Sequence, residues 1–380
     1  MKKNVIILLI ICVTMGACVP DSRELDQRSM IIGLGIDRGE EKLYKITIQL
    51  PILTDATSGP SGLGGRQYES FTVESDTIWD AFVQLETYTP SVLFFGHLKA
   101  VVLSEEVARE GLKEVVDLLD RESTVANQVY LVVVEGDASE FTQQESPLVT
   151  LPALYLDRFF EAEQKVARTN GIRLFKFLRD TNMISGASSI PLAHLQGEQI
   201  VVEGVGVFED YRLKTKIREK EVGLSTLLKD DLVTDLNCTI VIEHEDVKVT
   251  TSLARSKLKQ TIHFEETKPV SFHIDIKGTG EIVSLADVTV KDTDSFIKEV
   301  EKETEQYFED KIHALIKRMQ EENIEPWLMG HRIWAMNPEY FEQLNWLETG
   351  WKEAKFQINV EFEIDDTGQR GYYHKEKIGR

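Results

Sequence analysis

The chain has 380 residues, enough for two or three domains of ordinary size. Hydrophobic residues make up 42% and charged residues 28%, values typical of a globular protein. The formal net charge of −21 argues against nucleic acid as a partner and against a broad electrostatic grip on anionic lipid.

Met1-Lys2-Lys3-Asn4 is a short cationic head, and residues 5–13 are an unbroken apolar run. The run is shorter than the roughly 20 residues of a spanning helix, so head and run read as a secretory signal. Met15-Gly16-Ala17-Cys18 then places small residues before a thiol. Gly16 and Ala17 suit a signal peptidase. Cys18, as first mature residue, can carry S-diacylglycerol as a thioether and an acyl group on its amine. The pattern resembles a bacterial lipoprotein signal, with Met15 where Leu is commoner. It assigns 1–17 to the signal peptide, Cys18 to lipidation and 18–28 to a polar tether. Loss of Lys2 and Lys3 takes the charge from −21 to −23. Each buried CH₂ is worth roughly 0.8 kcal/mol, so two acyl chains anchor stably where one does not. Cys12 leaves with the signal and Cys18 is consumed by lipid, which leaves Cys238 without a partner for an intrachain disulfide.

Residues 30–36 and 44–52 read as a strand pair around a polar turn, with Ile46, Ile48 and Leu50 alternating with Lys45, Thr47 and Gln49. Residues 54–66 are a Gly/Ser-rich loop and 68–73 another strand. Residues 77–87 read as a helix burying Ile78, Trp79, Phe82 and Leu85. A strand at 98–103 leads to Ser104, a good N-cap with Glu105 and Glu106 behind it, and so to a helix. A buried strand at 129–134 closes a strand–helix–strand crossover. Residues 151–176 read as mostly helical. Residues 185–197 read as a Gly/Ser/Pro loop and set the main boundary. It separates an α/β region at 29–196, with residue 145 as the place where two subdomains would meet, from a C-terminal domain at 197–380. The second half opens with a hairpin, 199–208 and 212–217, and a short helix, 221–228. Strands at 237–243, 247–254, 260–264 and 270–276 form a meander. Residues 292–322 are the strongest helix. Its apolar positions, among them Ile297, Val300, Phe308, Ile312, Leu315 and Met319, recur at helical steps for packing on a core. Pro326 ends it, and 355–364 alternates as a last strand. A basic, polar tail closes the chain.

Catalytic patterns are missing. Gly33 and Gly35 lack the third glycine and helix of a dinucleotide fingerprint, and the loop at 54–66 has no Gly-Lys-Ser/Thr for phosphate. Gly204 and Gly206 lie in a strand and mark a bulge or close packing. His263 and His273 can face each other across a hairpin, a weak metal pattern by itself. His97, between two apolar runs, reads as a hydrogen-bonded structural histidine. Cys238 reads as a small buried hydrophobe. No residue set argues for an enzyme, a cofactor or a metal.

Asp21-Ser22-Arg23-Glu24-Leu25 and Ile31-Ile32-Gly33-Leu34-Gly35-Ile36-Asp37 resemble the mature start of the Ger(x)C family. Phe95-Gly96-His97-Leu98-Lys99, followed by Val101-Val102-Leu103-Ser104, is similar to a second signature of that family. Gly204-Val205-Gly206-Val207-Phe208 with Arg212-Leu213 resembles the opening of its C-terminal domain. Trp327 to Gly330, Asn337-Pro338, Trp346 and Trp351 resemble its close. Many members carry Trp-Asp after the lipidated cysteine, where this chain has Val19-Pro20. The resemblance implies a non-enzymatic, lipid-anchored C subunit of a nutrient germinant receptor on the outer face of the inner spore membrane. Such a subunit acts with membrane-embedded A and B subunits, and a nutrient is the ligand of the complex. It implies a multi-domain α+β fold with mixed and antiparallel sheets flanked by helices, to which the periodicity adds the long C-terminal amphipathic helix. The competing expectation is a lipoprotein that itself binds a small-molecule nutrient in a polar cleft near 185–197.

Overall fold

The structure is a computed structural model, and it describes residues 27–52, 68–145, 149–162, 169, 171–184, 186–218, 221–244, 247–285 and 293–366. The signal, Cys18, nearly all of the tether, the loop at 54–66 and the tail lie outside the described residues.

In chain order, β1 (Arg28–Met30) precedes β2 (Gly33–Arg38), β3 (Tyr44–Pro51) and β4 (Tyr68–Ser75). Then come α1 (Ile78–Leu85), β5 (Val92–Phe94), β6 (Ala100–Ser104), α2 (Glu105–Glu110), α3 (Lys113–Arg121) and β7 (Tyr130–Val134). The helices α4 (Ala138–Gln143) and α5 (Pro152–Glu161) lead to β8 (Ile172–Arg173), α6 (Leu174–Thr181) and β9 (Ala187–Gln196). The hairpin β10 (Gln199–Glu209) and β11 (Arg212–Ile217) is followed by α7 (Glu221–Lys229), β12 (Leu232–Thr234), β13 (Cys238–His244), β14 (Val247–Glu265) and β15 (Ser271–Leu285). The long helix α8 (Thr293–Glu321), then α9 (Met329–Met336), α10 (Pro338–Leu344) and α11 (Trp351–Glu353), lead to β16 (Lys355–Asp366).

The larger sheet runs β11-β10-β9-β7-β6-β2-β3-β4, with β8 beside β7. Its centre is parallel, β2–β6–β7–β9, and both flanks are antiparallel, so the sheet is mixed. The parallel centre follows from the crossover. Val101, Leu103, Leu131 and Val133 face a core shared with α1, α2, α3 and α6, while Ala100, Val102, Val132 and Val134 face α4 and α5. Strands buried on both faces read as continuous apolar runs, as these do. The Ser104 hydroxyl accepts from the Val107 amide at 3.4 Å and caps α2. Gly111, at φ +131, splits the expected single helix into α2 and α3.

The smaller sheet runs β12-β14-β15-β16, with β13 also on β14. It is antiparallel except at β15–β16, which is parallel. The two strands expected at 247–254 and 260–264 are one strand, β14. A bulge between Ala254 and Lys257, with Arg255 at φ 52, absorbs the break in alternation. The helix α8 lies on this sheet and buries Phe296, Val300, Thr304, Phe308, Ile312, Leu315, Ile316 and Met319. Beside it Trp327, Trp346 and Trp351 stack with Phe272 and Phe356 at centroid spacings of 5.2–6.1 Å.

Four further expectations are corrected. Residues 185–197, read as a loop, hold the strand β9, which alternates into the core of the larger sheet and pairs with β7 and β10. Residues 30–36 are not one strand, because the chain steps off between β1 and β2, and β1 pairs in parallel with β5 instead. The described part of 151–176 holds two helices, α5 and the start of α6, with the short strand β8 between them. Trp79, expected inside, is 54% exposed, and α1 buries Ile78, Ala81, Phe82 and Leu85. The inward stripe sits at steps of three and four, and Trp79 lies a full 100° of helix from Ile78.

Candidate functional site

The described chain begins at the two-stranded ribbon of β1 and β5, paired Arg28 to Val92, Ser29 to Leu93 and Met30 to Phe94. Residues 31 and 32 fasten this ribbon to the larger sheet. The Ile31 amide donates to the Phe94 carbonyl at 3.0 Å, Ile32 to Gln49 at 3.0 Å and Lys99 to Ile32 at 2.8 Å. A cavity of about 240 Å³ opens on one side of the ribbon among Arg28, Trp79, Val83, Val92 and Phe95. A second, of about 330 Å³, opens on the other side among Arg28, Ile52, Phe71, Tyr88 and Ser91. The Arg28 guanidinium lies 4.4 Å from the Phe94 ring centroid and belongs to both. The first polar contacts of these walls are internal. The Glu86 carboxylate accepts from the Leu93 amide at 3.3 Å, and the Glu122 carboxylate accepts from the Thr124 amide and hydroxyl at 3.1 and 2.8 Å.

The residues singled out in the sequence take structural places. Gly33 and Gly35 let α4 and α5 approach β2. A Cβ on Gly35 would stand 3.2 Å from the Ala138 carbonyl and the Thr142 side chain. Gly204 sits at φ +82 in the register shift between Val202 and Val205, and a Cβ on Gly206 would meet Leu213 at 2.6 Å. Phe95 is buried against Phe82, and Leu98 donates to the Phe95 carbonyl at 2.9 Å to close the turn. His97, read as a hydrogen-bonded structural histidine, is exposed at that turn, edge-on to Phe94. Cys238 is buried in the core of the smaller sheet. His263 and His273 do pair across β14 and β15. Among the described residues, no three His, Cys, Asp or Glu side chains are grouped to hold a metal. Cys18 lies outside the described residues.

Two buried carboxylates carry roles that sequence reasoning missed. Asp37, at the end of β2, accepts the amides of Ala138 at 2.5 Å and Ser139 at 2.7 Å. Burial pushes its carboxyl up, and those two amides pull it part of the way back. Glu325 accepts the amides of Trp327 at 2.8 Å and Gly330 at 3.1 Å. A lone acid closing an apolar run, as in Ile36-Asp37, was the available sign of the first. Both hold chain segments together and touch no cavity described above.

Residues 21–195 match the family described as spore germination protein N-terminal domain. Residues 203–368 match the family described as spore germination B3/GerAC like, C-terminal. Spore germination protein GerQC of Bacillus cereus is 19% identical over 96% of this chain and 99% of its own length. Spore germination protein B3 of Bacillus subtilis (strain 168) is 22% identical over 92% of this chain and 94% of its own. In structure, the crystallised GerBC protein is similar with a TM-score of 0.54 at 18% identity, covering 88% of this chain and 97% of that one, which is a likeness of fold. Two family domains in one chain, in this order and over most of its length, identify it as a member of the GerAC-like, or Ger(x)C, family of spore germination proteins.

Proposed function

We propose that this protein is the lipid-anchored, non-catalytic C subunit of a spore nutrient germinant receptor. It acts with membrane-embedded A and B subunits to trigger germination. The observation that carries the reading is the pair of family domains spanning 21–195 and 203–368 behind a lipobox-like Met15-Gly16-Ala17-Cys18. No helix among the described residues is long and apolar enough to cross a membrane, so membrane attachment in this reading falls to the acyl chains on Cys18. The N-terminal α/β region at 29–196 and the C-terminal domain at 197–380 then stand on the extracytoplasmic face of the inner spore membrane. Tethering raises their effective concentration toward partners in the same bilayer, so weak contacts suffice. Cys18→Ala should move the protein from the membrane fraction to the soluble fraction of broken spores and blunt the nutrient response. Unchanged fractionation sinks the lipid account.

A further inference from the structure

We propose that the face built by α1 and the β1–β5 ribbon rests on the lipid bilayer, with Trp79 and Val83 set at its headgroup level. The inference rests on the anchor at Cys18. Large hydrophobic side chains are exposed at thirteen described positions, and five of them line the two cavities beside the ribbon: Ile52, Trp79, Val83, Tyr88 and Val92. Trp79 and Val83 are 54% and 53% exposed, one helical turn apart on α1. The inner side of α1 is fully spent on the core through Ile78, Ala81, Phe82 and Leu85. Exposed Asp80 and Gln84 take the side facing away from the core, and Trp79 and Val83 form a second apolar strip on the flank between them and the core.

The position of the tether names the occupant. Cys18 precedes Arg28 by ten residues. At about 3.3–3.6 Å per residue the tether reaches at most roughly 35 Å, so the acyl chains keep β1, the strand shared by both cavities, close to the bilayer. Contact there does not need basic charge. The carboxylates of Glu86 and Glu122 accept backbone amides, and exposed Glu69, Asp80 and Glu86 rim a patch whose own exposed side chains are Ile52, Trp79, Val83, Tyr88 and Val92. Tryptophan and tyrosine suit the zone between headgroups and acyl chains, where an apolar ring and a polar edge are both satisfied.

The test uses the full-length lipidated protein in vesicles of phosphatidylethanolamine and phosphatidylglycerol whose acyl chains carry bromine near the headgroup. Flotation reads the anchor, and quenching of tryptophan emission reads the docking. The protein should float and lose about a fifth of its emission, the share of one tryptophan among five. Trp79→Phe should float equally, unfold at the same temperature and lose that quenching, while Trp334→Phe keeps it. Flotation with no quenching, or with quenching that survives Trp79→Phe, overturns the docking and leaves the anchor standing; the face would then await a protein partner. Failure to float overturns the anchor and the docking together.

Discussion

At the scale of single residues, Asp37 shows how a buried charge is made tolerable. It is 2% exposed, and its two oxygens are taken by the first two amides of α4, which β2 could not otherwise reach. The carboxylate thereby holds a helix to a strand a hundred residues away in the chain. Removing it strands two buried amides and leaves a small void. Asp37→Ala should cost about 3 kcal/mol in urea unfolding. Asp37→Asn should cost less, because one oxygen remains while the new NH₂ faces a donor. Equal midpoints for both variants and the wild type would dismiss the staple. Glu325 does the same for the turn into α9, where Gly330 is required because a Cβ would stand 2.2 Å from the Trp346 indole nitrogen.

Among elements, α8 and β16 form the most regular match. The carboxylates of Glu301, Glu305 and Glu309 accept the amides of Ile364, Phe362 and Val360 at 2.9, 3.0 and 3.1 Å. Four residues of helix advance about 6.0 Å and two of strand about 6.6 Å, so three successive pairs stay in register. The other side of β16 is occupied by β15. The glutamates thus fill the donors of an edge that could otherwise recruit a strand from another chain. Replacing all three by alanine should raise self-association in sedimentation velocity at matched concentration, whereas replacement by glutamine, which keeps an acceptor, should restore most of the wild-type behaviour. If the alanine and glutamine variants sediment alike, the carboxylates do not guard the edge. The face of α8 was legible as apolar steps of three and four. Its glutamates were not, because a charged helix flank looks the same whether it meets water or a strand edge.

For the molecule as a whole, β10 and β11 matter most. β10 hydrogen-bonds onto β9 and β11 onto β10, which carries the larger sheet past 197, while Val205, Val207 and Ile217 already belong to the core of the C-terminal sheet and α8. A seam of charge reinforces the join. The Lys216 ammonium reaches Glu105 and Glu135 at 2.6 Å each, and Arg218 also pairs with Glu135. Across the other side, the Lys229 ammonium meets the buried Asp180 at 2.6 Å. Burial alone would raise the carboxyls of Glu105 and Glu135. Their bonds to Lys216, with Arg109 on the first and Arg218 on the second, outweigh it and hold both below the ordinary value of 4.5. Folded values below the unfolded one mean that the seam contributes fully above about pH 4.5 and is lost as pH falls through the lowered values. Unfolding midpoints should therefore drop on acidification below that point, and Lys216→Met should flatten this limb. Parallel acid limbs in the two proteins would remove the seam from the account.

The order and type of most elements, the crossover, the Ser104 cap and the long helix were readable from residues alone, since each depends on spacing within a few turns or a few strand positions. So was the family, carried by glycines and aromatics whose places are set by close packing. What needed the folded chain was every feature joining distant segments: the outward turn of Trp79, the parallel pairing of β1 with β5 and of β15 with β16, the Asp37 staple, and the hairpin that carries the larger sheet past 197. Periodicity tells which side of an element is apolar. It does not tell which other element, or which bilayer, that side will meet.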